Sequence, residues 1–184
     1  MIATHIRKHN APTGLFSGNM LDAHISLATE KLHQANFLRV NLIKLLEKGN
    51  ITQSAIADHF ASSQKQISML INNDISEFSM ELLVIWSFML DSKKGLISSR
   101  KEAEDLMLKN KIKLMERLND RIKRKMKDDH LTQTELGLKY FEKSQPIVSY
   151  LMNVNNVQKF KYDMLRCYAY VSGITEKELD AYEK

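Results

Sequence analysis

Apolar residues recur at three- and four-residue intervals along most of the chain, and this spacing predicts amphipathic helices. The first predicted helix covers residues 22–47 and ends at Gly49-Asn50, because glycine favours helix C-termini. A nearly continuous apolar stretch at residues 80–90 is about half as long as a bilayer span requires, so we expect a buried helix there. Further helices are predicted at about residues 100–127, 160–171 and 176–182.

Two similar segments lie between these helices, beginning at Ile51 and Leu131. They align at an offset of 80, and one extra residue in the second segment then raises the offset to 81. The matched pairs are Thr52 and Thr132, Gln53 and Gln133, Ile56 and Leu136, Ala57 and Gly137, Phe60 and Tyr140, Ser63 and Ser144, Gln64 and Gln145, Ser68 and Ser149, Leu70 and Leu151, and Asn72 and Asn153. Phe78 and Leu83 match Phe160 and Leu165 after one further residue. We interpret the chain as an internal duplication.

Each copy has the pattern of two short helices joined by a tight turn. Thr52 and Ser63 stand where N-caps are needed, since a hydroxyl can accept from the exposed first-turn amides. The predicted inward stripe of the second short helix is Ile67, Leu70 and Ile71 in the first copy and Val148, Leu151 and Met152 in the second. A small residue, Ala57 or Gly137, stands where the helices cross, and Pro146 is tolerated in a first turn. This arrangement is typical of a helix-turn-helix.

The pattern T-Q-x-x-[I/L]-[A/G] followed by S-Q-x-x-[I/V]-S-x-L-x-N resembles the lambda-repressor-like, Cro/Xre type of helix-turn-helix, including related antitoxins. The resemblance covers about 35 residues per copy. It implies an all-α fold of two tandem lambda-repressor-like helical bundles and a double-stranded DNA partner. The sequence departs from the family where Asn73 and Val154 replace a glycine and where Phe141 and Glu142 enlarge the turn, so we expect altered docking by the second unit.

The candidate DNA-binding residues are the polar and outward positions of both copies. Gln suits the edge of adenine, Ser suits donors or acceptors, and Lys reaches guanine or phosphate, while helix-terminal Thr suits phosphate. In the first copy they are Thr52, Gln53, Ser63, Gln64, Lys65, Gln66, Ser68, Met69 and Asn72. In the second copy they are Thr132, Gln133, Ser144, Gln145, Pro146, Ile147, Ser149, Tyr150 and Asn153. The first set is the more polar, and Gln64, Lys65 and Ser68 are its strongest candidates.

The net charge of +5 is concentrated in the second half of the chain, where nine cations between Lys109 and Lys127 face only Glu116 and Asp120. They are Lys109, Lys111, Lys113, Arg117, Arg121, Lys123, Arg124, Lys125 and Lys127. Such a run indicates either phosphate contact, with affinity that falls as salt rises, or a solvated helix face. A basic amphipathic helix also suits a membrane surface, but nothing else in the sequence favours a membrane partner.

Candidate enzyme chemistry is missing from the sequence. The six histidines have no metal-ligand spacing with Cys or acidic residues, and we find no phosphate-binding glycine loop or nucleophile motif. We therefore expect no enzyme activity, no metal and no cofactor. Cys167 is the only cysteine, which excludes an internal disulfide and favours a reducing cytoplasm. With DNA as the expected partner, we expect the protein to associate there with the nucleoid.

The predicted organisation is an N-terminal arm at residues 1–21, a first helix-turn-helix domain at 22–92, a linker at 93–99 and a second helix-turn-helix domain at 100–184. The predicted function is a transcriptional regulator, a repressor, that reads DNA with both units, and a homodimer would lengthen the site. The alternative is an antitoxin-like or adaptor protein in which one unit binds a protein partner. The apolar positions Pro146, Ile147 and Tyr150 motivate that alternative.

Overall fold

A computed structural model describes residues 15–49, 51–91, 95–175 and 178. The described part of the chain is mostly helical with almost no strand, which confirms the prediction of an all-α protein. The elements are α1 (Met20–Glu47), α2 (Gln53–His59), α3 (Gln64–Ile71), α4 (Met80–Phe88), β1 (Leu90–Asp91), β2 (Gly95–Leu96), α5 (Arg100–Asp128), α6 (Gln133–Leu136), a π-helical turn (Gly137–Phe141), α7 (Gln145–Leu151), a 3₁₀ helix (Val154–Lys159) and α8 (Tyr162–Val171).

The described residues form two compact units. Unit 1 contains the residues up to Ser26, Leu114–Val157 and those from Leu165 onward. Unit 2 contains Leu27–Lys113 and Gln158–Met164. The helices α1 and α5 each contribute residues to both units, because their unit assignment changes after Ser26 and after Lys113.

Most predicted elements are confirmed, and the differences are at their ends. α1 begins two residues before the predicted start, and α5 ends one residue after the predicted end. Within the predicted linker, residues 95–96 pair antiparallel with residues 90–91, in the register Leu90 to Leu96 and Asp91 to Gly95. Gly95 has a φ of 86°, which a side chain would disfavour. Residues 1–14 of the predicted arm, and all of the predicted helix at 176–182 except Glu178, lie outside the described residues.

Unit 2 has an aromatic core around α4, and the predicted burial of this helix is confirmed. Trp86 is fully buried and stacks on Phe60 with ring centroids 5.0 Å apart. Phe78 meets the same indole edge-on at 5.5 Å. Ile67 and Leu70 of α3 are also fully buried, as predicted, whereas Ile71 is half-buried. Rings at these distances add a favourable edge or stacking interaction to the burial of their apolar area.

Unit 1 repeats this core with different side chains. Phe141 packs against Tyr168 at 4.9 Å, and both rings are buried. The equivalent core positions of units 2 and 1 are Ile56 and Leu136, Phe60 and Phe141, Ile67 and Val148, Leu70 and Leu151, Leu83 and Leu165, and Trp86 and Tyr168. The alignment of Phe60 with Tyr140 was therefore wrong. The extra residue of the second copy lies within the π-helical turn, which moves Phe141 into the place of Phe60.

Gly137 is required by the close approach of α6 and α7. A Cβ atom on this residue would lie 2.6 Å from the carbonyl oxygen of Lys143 and 2.9 Å from Cγ2 of Val148. Both distances are below van der Waals contact, so no larger residue fits without a shift of the backbone. The predicted small residue at the crossing of the two short helices is confirmed, and Ala57 is buried at the equivalent place in unit 2.

Candidate nucleic-acid interface

The first helix pair, α2 and α3, is closed at both N-termini by the predicted caps. Oγ1 of Thr52 accepts from the amide of Ala55 at 3.1 Å, and Oγ of Ser63 accepts from the amide of Gln66 at 3.2 Å. The side chain of Gln66 completes a capping box at this helix start. Its Oε1 accepts from the amide of Ser63 at 3.4 Å and also from Oγ of Ser62 at 2.6 Å. Gln66 was predicted as a DNA-contacting residue, and its carboxamide oxygen takes part in this capping box.

The second helix pair, α6 and α7, is capped differently at its two helices. Thr132 and Glu135 form a reciprocal capping box, with the amide of Thr132 donating to Oε2 of Glu135 at 2.8 Å. This backbone hydrogen bond holds the pKa of Glu135 below its usual value. Ser144 stands at the N-cap of α7, but its side chain makes no capping bond, and Pro146 occupies the first turn as predicted. The start of α7 is therefore shaped by a proline ring and not by a capping box.

Twelve of the eighteen candidate residues are exposed, and the other six are half-buried. The exposed ones are Thr52, Ser63, Gln64, Lys65, Asn72, Thr132, Ser144, Gln145, Pro146, Ser149, Tyr150 and Asn153. The half-buried ones are Gln53, Gln66, Ser68, Met69, Gln133 and Ile147. On the opposite side of α7, Val148 and Leu151 are fully buried as predicted, and Met152 is half-buried. Each second helix thus has one face in a core and one facing outward.

Two candidate glutamines of the second pair contact each other directly. Nε2 of Gln145 donates to Oε1 of Gln133 at 3.2 Å, which joins the first residues of α7 and α6. This contact uses one amide hydrogen of Gln145 and leaves its carboxamide oxygen and the second hydrogen for another partner. A carboxamide held in one orientation loses less rotamer freedom when it binds another partner.

The turns between the short helices explain how the longer second copy keeps the same core. Ala61 and Glu142 both adopt left-handed backbone conformations, with φ of 48° and 53°. The π-helical turn ends with the amide of Lys143 donating to the carbonyl of Gly137 at 3.0 Å.

After α3, Asn73 takes a left-handed conformation with φ of 62°, the role that a glycine fills at many helix ends. Val154 instead begins a 3₁₀ helix.

Two positioning residues were missed by sequence reasoning. Nε of Arg39 donates to the carbonyl of Ile71 at 2.7 Å, and Nδ2 of Asn119 donates to the carbonyl of Met152 at 2.8 Å. Each bond joins a long helix to the end of a second short helix, and an offset of 80 relates the donors to each other. The signal available in the sequence was the pattern of apolar residues before each first short helix, where Leu38 and Leu42 match Leu118 and Ile122 at the same offset. The duplication therefore includes the long helices.

The basic run on α5 is only partly available to an outside partner. Lys111 is 7% exposed and pairs with Glu81 at 3.2 Å. Arg121 and Lys125 pair with Glu178 and Asp129 at 3.0 Å and 2.9 Å. Other members of the run are exposed, namely Lys109, Lys113, Lys123, Arg124 and Lys127. The paired cations therefore stabilise the fold, and the exposed ones contribute to the positive potential around the protein.

In unit 2, two carboxylates at equivalent positions of the two copies, Glu81 and Asp163, each cap the N-terminus of the helix that contains the other. The amides of Met80 and Glu81 donate to Asp163 at 3.2 Å and 3.4 Å, at the start of α4. In return, the amide of Tyr162 at the start of α8 donates to Glu81 at 3.1 Å. Carboxylates at helix N-termini are stabilised by the unpaired amides there.

A cleft with a volume of about 840 Å³ opens beside these caps in unit 2. Its charged lining residues are Glu81, Arg100, Glu104, Asp105, Lys111, Lys161 and Asp163. Most of these charges already have partners in the protein, since Arg100 pairs with Glu104 and Lys111 with Glu81. We therefore do not include the cleft in the candidate interface.

Within residues 15–49, 51–91, 95–175 and 178, no group of three or more His, Cys, Asp or Glu side chains could hold a metal ion. None of the helices described there combines the length and the apolar character that crossing a bilayer requires. Cys167 is buried, with its sulfur 3.6 Å from Nδ1 of His24.

Comparison of the chain with protein-family models, with curated proteins and with solved structures found no match. The features of the protein that bear on its function are therefore the two helix pairs, their outward side chains, and Arg39 and Asn119, which hold the ends of the second short helices.

Proposed function

We propose that the protein is a sequence-specific regulator of transcription that binds double-stranded DNA through two helix-turn-helix units. The first helix pair and the second helix pair are these units, within two tandem lambda-repressor-like bundles. The observation that carries the proposal is the combination of a buried inner face with an outward face of amide, hydroxyl and lysine side chains on α3. Thr52, Thr132 and Ser63 cap helices. Gln64 and Gln145, at matched positions of the duplication, are exposed and cap no helix, so a partner outside the chain explains them better.

Each second short helix would lie in a major groove. On α3, Gln64 and Lys65 are exposed and suit the edges of adenine and guanine, and Ser68 can donate or accept one turn later. Thr52 lies at the N-terminus of α2, where hydroxyls and amides suit phosphate oxygens. The amide and hydroxyl of Thr132 instead both donate to Glu135. Exposed cations on α5 would add contacts that depend on charge, so the affinity should fall steeply as salt rises.

Two units in one chain would act as the two subunits of a dimeric repressor do, on half-sites about one helical turn apart. The two outward faces differ, since Lys65 and Gln66 correspond to Pro146 and Ile147. We therefore expect an asymmetric site for a monomer and a longer palindrome for a dimer. Repression in the cytoplasm, in association with the nucleoid, is the mode that the resemblance implies.

The experiment is selection of bound duplex DNA from a random pool, followed by affinity measurements on the selected sequence. Replacement of Gln64 and Gln145 together by alanine removes two bidentate contacts, and the affinity should fall roughly 30-fold or more. Gln158→Ala is the control, since this glutamine is exposed and lies outside both helix pairs. Unchanged affinity of the double variant for the selected DNA would contradict the proposal.

A second candidate function is supported by the apolar surface of the second helix pair. Leu138 is 62% exposed and Tyr150 is 38% exposed, both in unit 1. Exposed apolar side chains can contribute to protein contacts where they lie together. In this alternative α7 binds a protein, as an antitoxin or adaptor does. A small protein that copurifies with the chain, together with unchanged DNA affinity of Tyr150→Ala, would favour it.

A further inference from the structure

The outward face of α7 differs in chemistry from the outward face of α3. Pro146 and Tyr150 are four residues apart, so they lie one above the other on one side of the helix. Their equivalents on α3 are Lys65 and Met69. The flanking polar positions are the same in both helices, because Gln64 and Ser68 correspond to Gln145 and Ser149. The duplication has therefore kept the polar edge and replaced the lysine beside it by an apolar ring.

This apolar strip faces outward. Pro146 is exposed and Tyr150 is 38% exposed, while Ile147 beside them is half-buried. α7 contains no charged residue from Gln145 to Leu151. Beside the strip, the carboxamide of Gln145 is held by Gln133 at 3.2 Å. An apolar surface next to an oriented carboxamide matches a partner that presents hydrogen-bonding edges and small apolar groups side by side.

The major groove presents one small apolar group, the C5 methyl of thymine, beside the hydrogen-bonding edges of the bases. We propose that α7 reads thymine methyl groups with Pro146, Tyr150 and Ile147, next to an adenine bound by Gln145. α3 reads its own half-site through hydrogen bonds and the charge of Lys65. The two halves of one DNA site are thus distinguished by different chemistry. This inference depends on the proposed DNA-binding function.

Deoxyuridine differs from thymidine only by the missing C5 methyl group, so it tests this contact without changing any base-pair hydrogen bond. The half-site read by α7 is first identified on selected DNA as the one whose footprint is lost in Gln145→Ala. Each contacted thymine in that half is then replaced by deoxyuridine, and the affinity should fall about fourfold for each methyl that is buried. The same replacements in the half read by α3 should change the affinity less than twofold.

The matched protein variant is Pro146→Lys with Ile147→Gln, which gives α7 the residues of α3 at these positions. Its helical circular dichroism and thermal midpoint report folding. The folded variant should lose most of its sensitivity to deoxyuridine in the α7 half-site, because only Tyr150 of the apolar strip remains. Tyr150→Ser in the same assay removes the remaining ring.

Three outcomes would overturn the inference. Deoxyuridine without effect in the α7 half-site overturns it but leaves DNA binding intact, and an equal effect in both half-sites does the same. Selection that recovers no specific DNA overturns both the proposed function and the inference, and capture of a small protein on Tyr150 would then assign the strip to a protein contact.

Discussion

At the scale of single residues, the packing of the second helix pair depends on Gly137 and on the aromatic rings around Phe141. Gly137 is needed because Lys143 and Val148 leave no room for a Cβ atom. Phe141 fills the place of Phe60 and contacts Tyr168. Phe16 also contacts Phe141, with ring centroids 5.8 Å apart, and its ring lies 4.9 Å from that of Tyr140. These contacts support the inner side of α7, so substitutions among them should also displace the outward residues of that helix.

Replacement of Gly137 by alanine should destabilise the protein by about 1–3 kcal/mol, because the new methyl group must displace the Lys143 carbonyl or the Val148 side chain. The measurement is urea unfolding followed by circular dichroism. The matched control is Leu138→Ala at the next position, which is 62% exposed and should change the unfolding free energy by less than about 0.5 kcal/mol. Equal stability of the two variants would show that the crossing is looser than described.

Burial raises the pKa of Tyr168 to about 12, since the buried phenol cannot solvate its anion. The unfolded phenol ionises near pH 10, so the stabilising contribution is complete below that pH and is lost as pH rises towards about 12. Tyr168→Phe keeps the ring against Phe141 and removes the titration. Ultraviolet titration should lose the last phenol to ionise, and alkaline unfolding should begin at a higher pH. If the phenol missing from Tyr168→Phe were one that ionises near pH 10 in the native protein, and not the last to ionise, the burial of Tyr168 would be contradicted.

At the scale of elements, each long helix holds the end of a second short helix. Arg39 on α1 donates to the last residue of α3, and Asn119 on α5 donates to the residue after α7. The two bonds have different strengths, because a guanidinium bond carries a charge and the amide of Asn119 does not. The oxygen of this amide is buried without a hydrogen-bond partner in the described part of the chain. The orientation of each outward face therefore depends on a residue far away in sequence.

Loss of the Arg39 bond should speed hydrogen exchange at the C-terminal end of α3. Arg39→Met keeps most of the aliphatic stem and removes a charged hydrogen bond, which is worth about 1.5–3 kcal/mol. Asn119→Leu should have a smaller effect on α7, because it also removes the unpartnered oxygen. The control is Arg124→Met, an exposed cation of α5. If residues 69–73 exchanged at the same rates in Arg39→Met and in Arg124→Met, Arg39 would not position the end of α3.

At the scale of the whole molecule, local signals were readable in the sequence and contacts between distant residues were not. The caps at Thr52 and Ser63 and the proline in α7 depend on neighbours three or four residues away, so their patterns identified them. The strand pair at residues 90–96 is too short to have a periodicity. The π-helical turn places Phe141 where the alignment put Tyr140, because a sequence comparison does not reveal where the backbone absorbs an extra residue. Arg39 and Asn119 act across more than thirty residues.

The duplication connects these scales. Buried positions, the Thr52 and Thr132 caps and the positioning donors recur at offsets of 80 to 82. Part of the outward face differs, since Lys65 and Met69 of α3 correspond to Pro146 and Tyr150 of α7. Conserved support with different outer faces fits two readers of unlike half-sites better than two copies of one reader. This is why the proposed site is asymmetric and why each helix pair should control only its own half.

The most direct test is a footprint of selected duplex DNA with the native protein, Gln64→Ala and Gln145→Ala. The native protein should protect two half-sites about one helical turn apart. Gln64→Ala should lose protection in one half and Gln145→Ala in the other, with the overall fold unchanged by circular dichroism. Protection of a single half-site by the native protein, or loss of the same half in both variants, would contradict two working DNA-reading units.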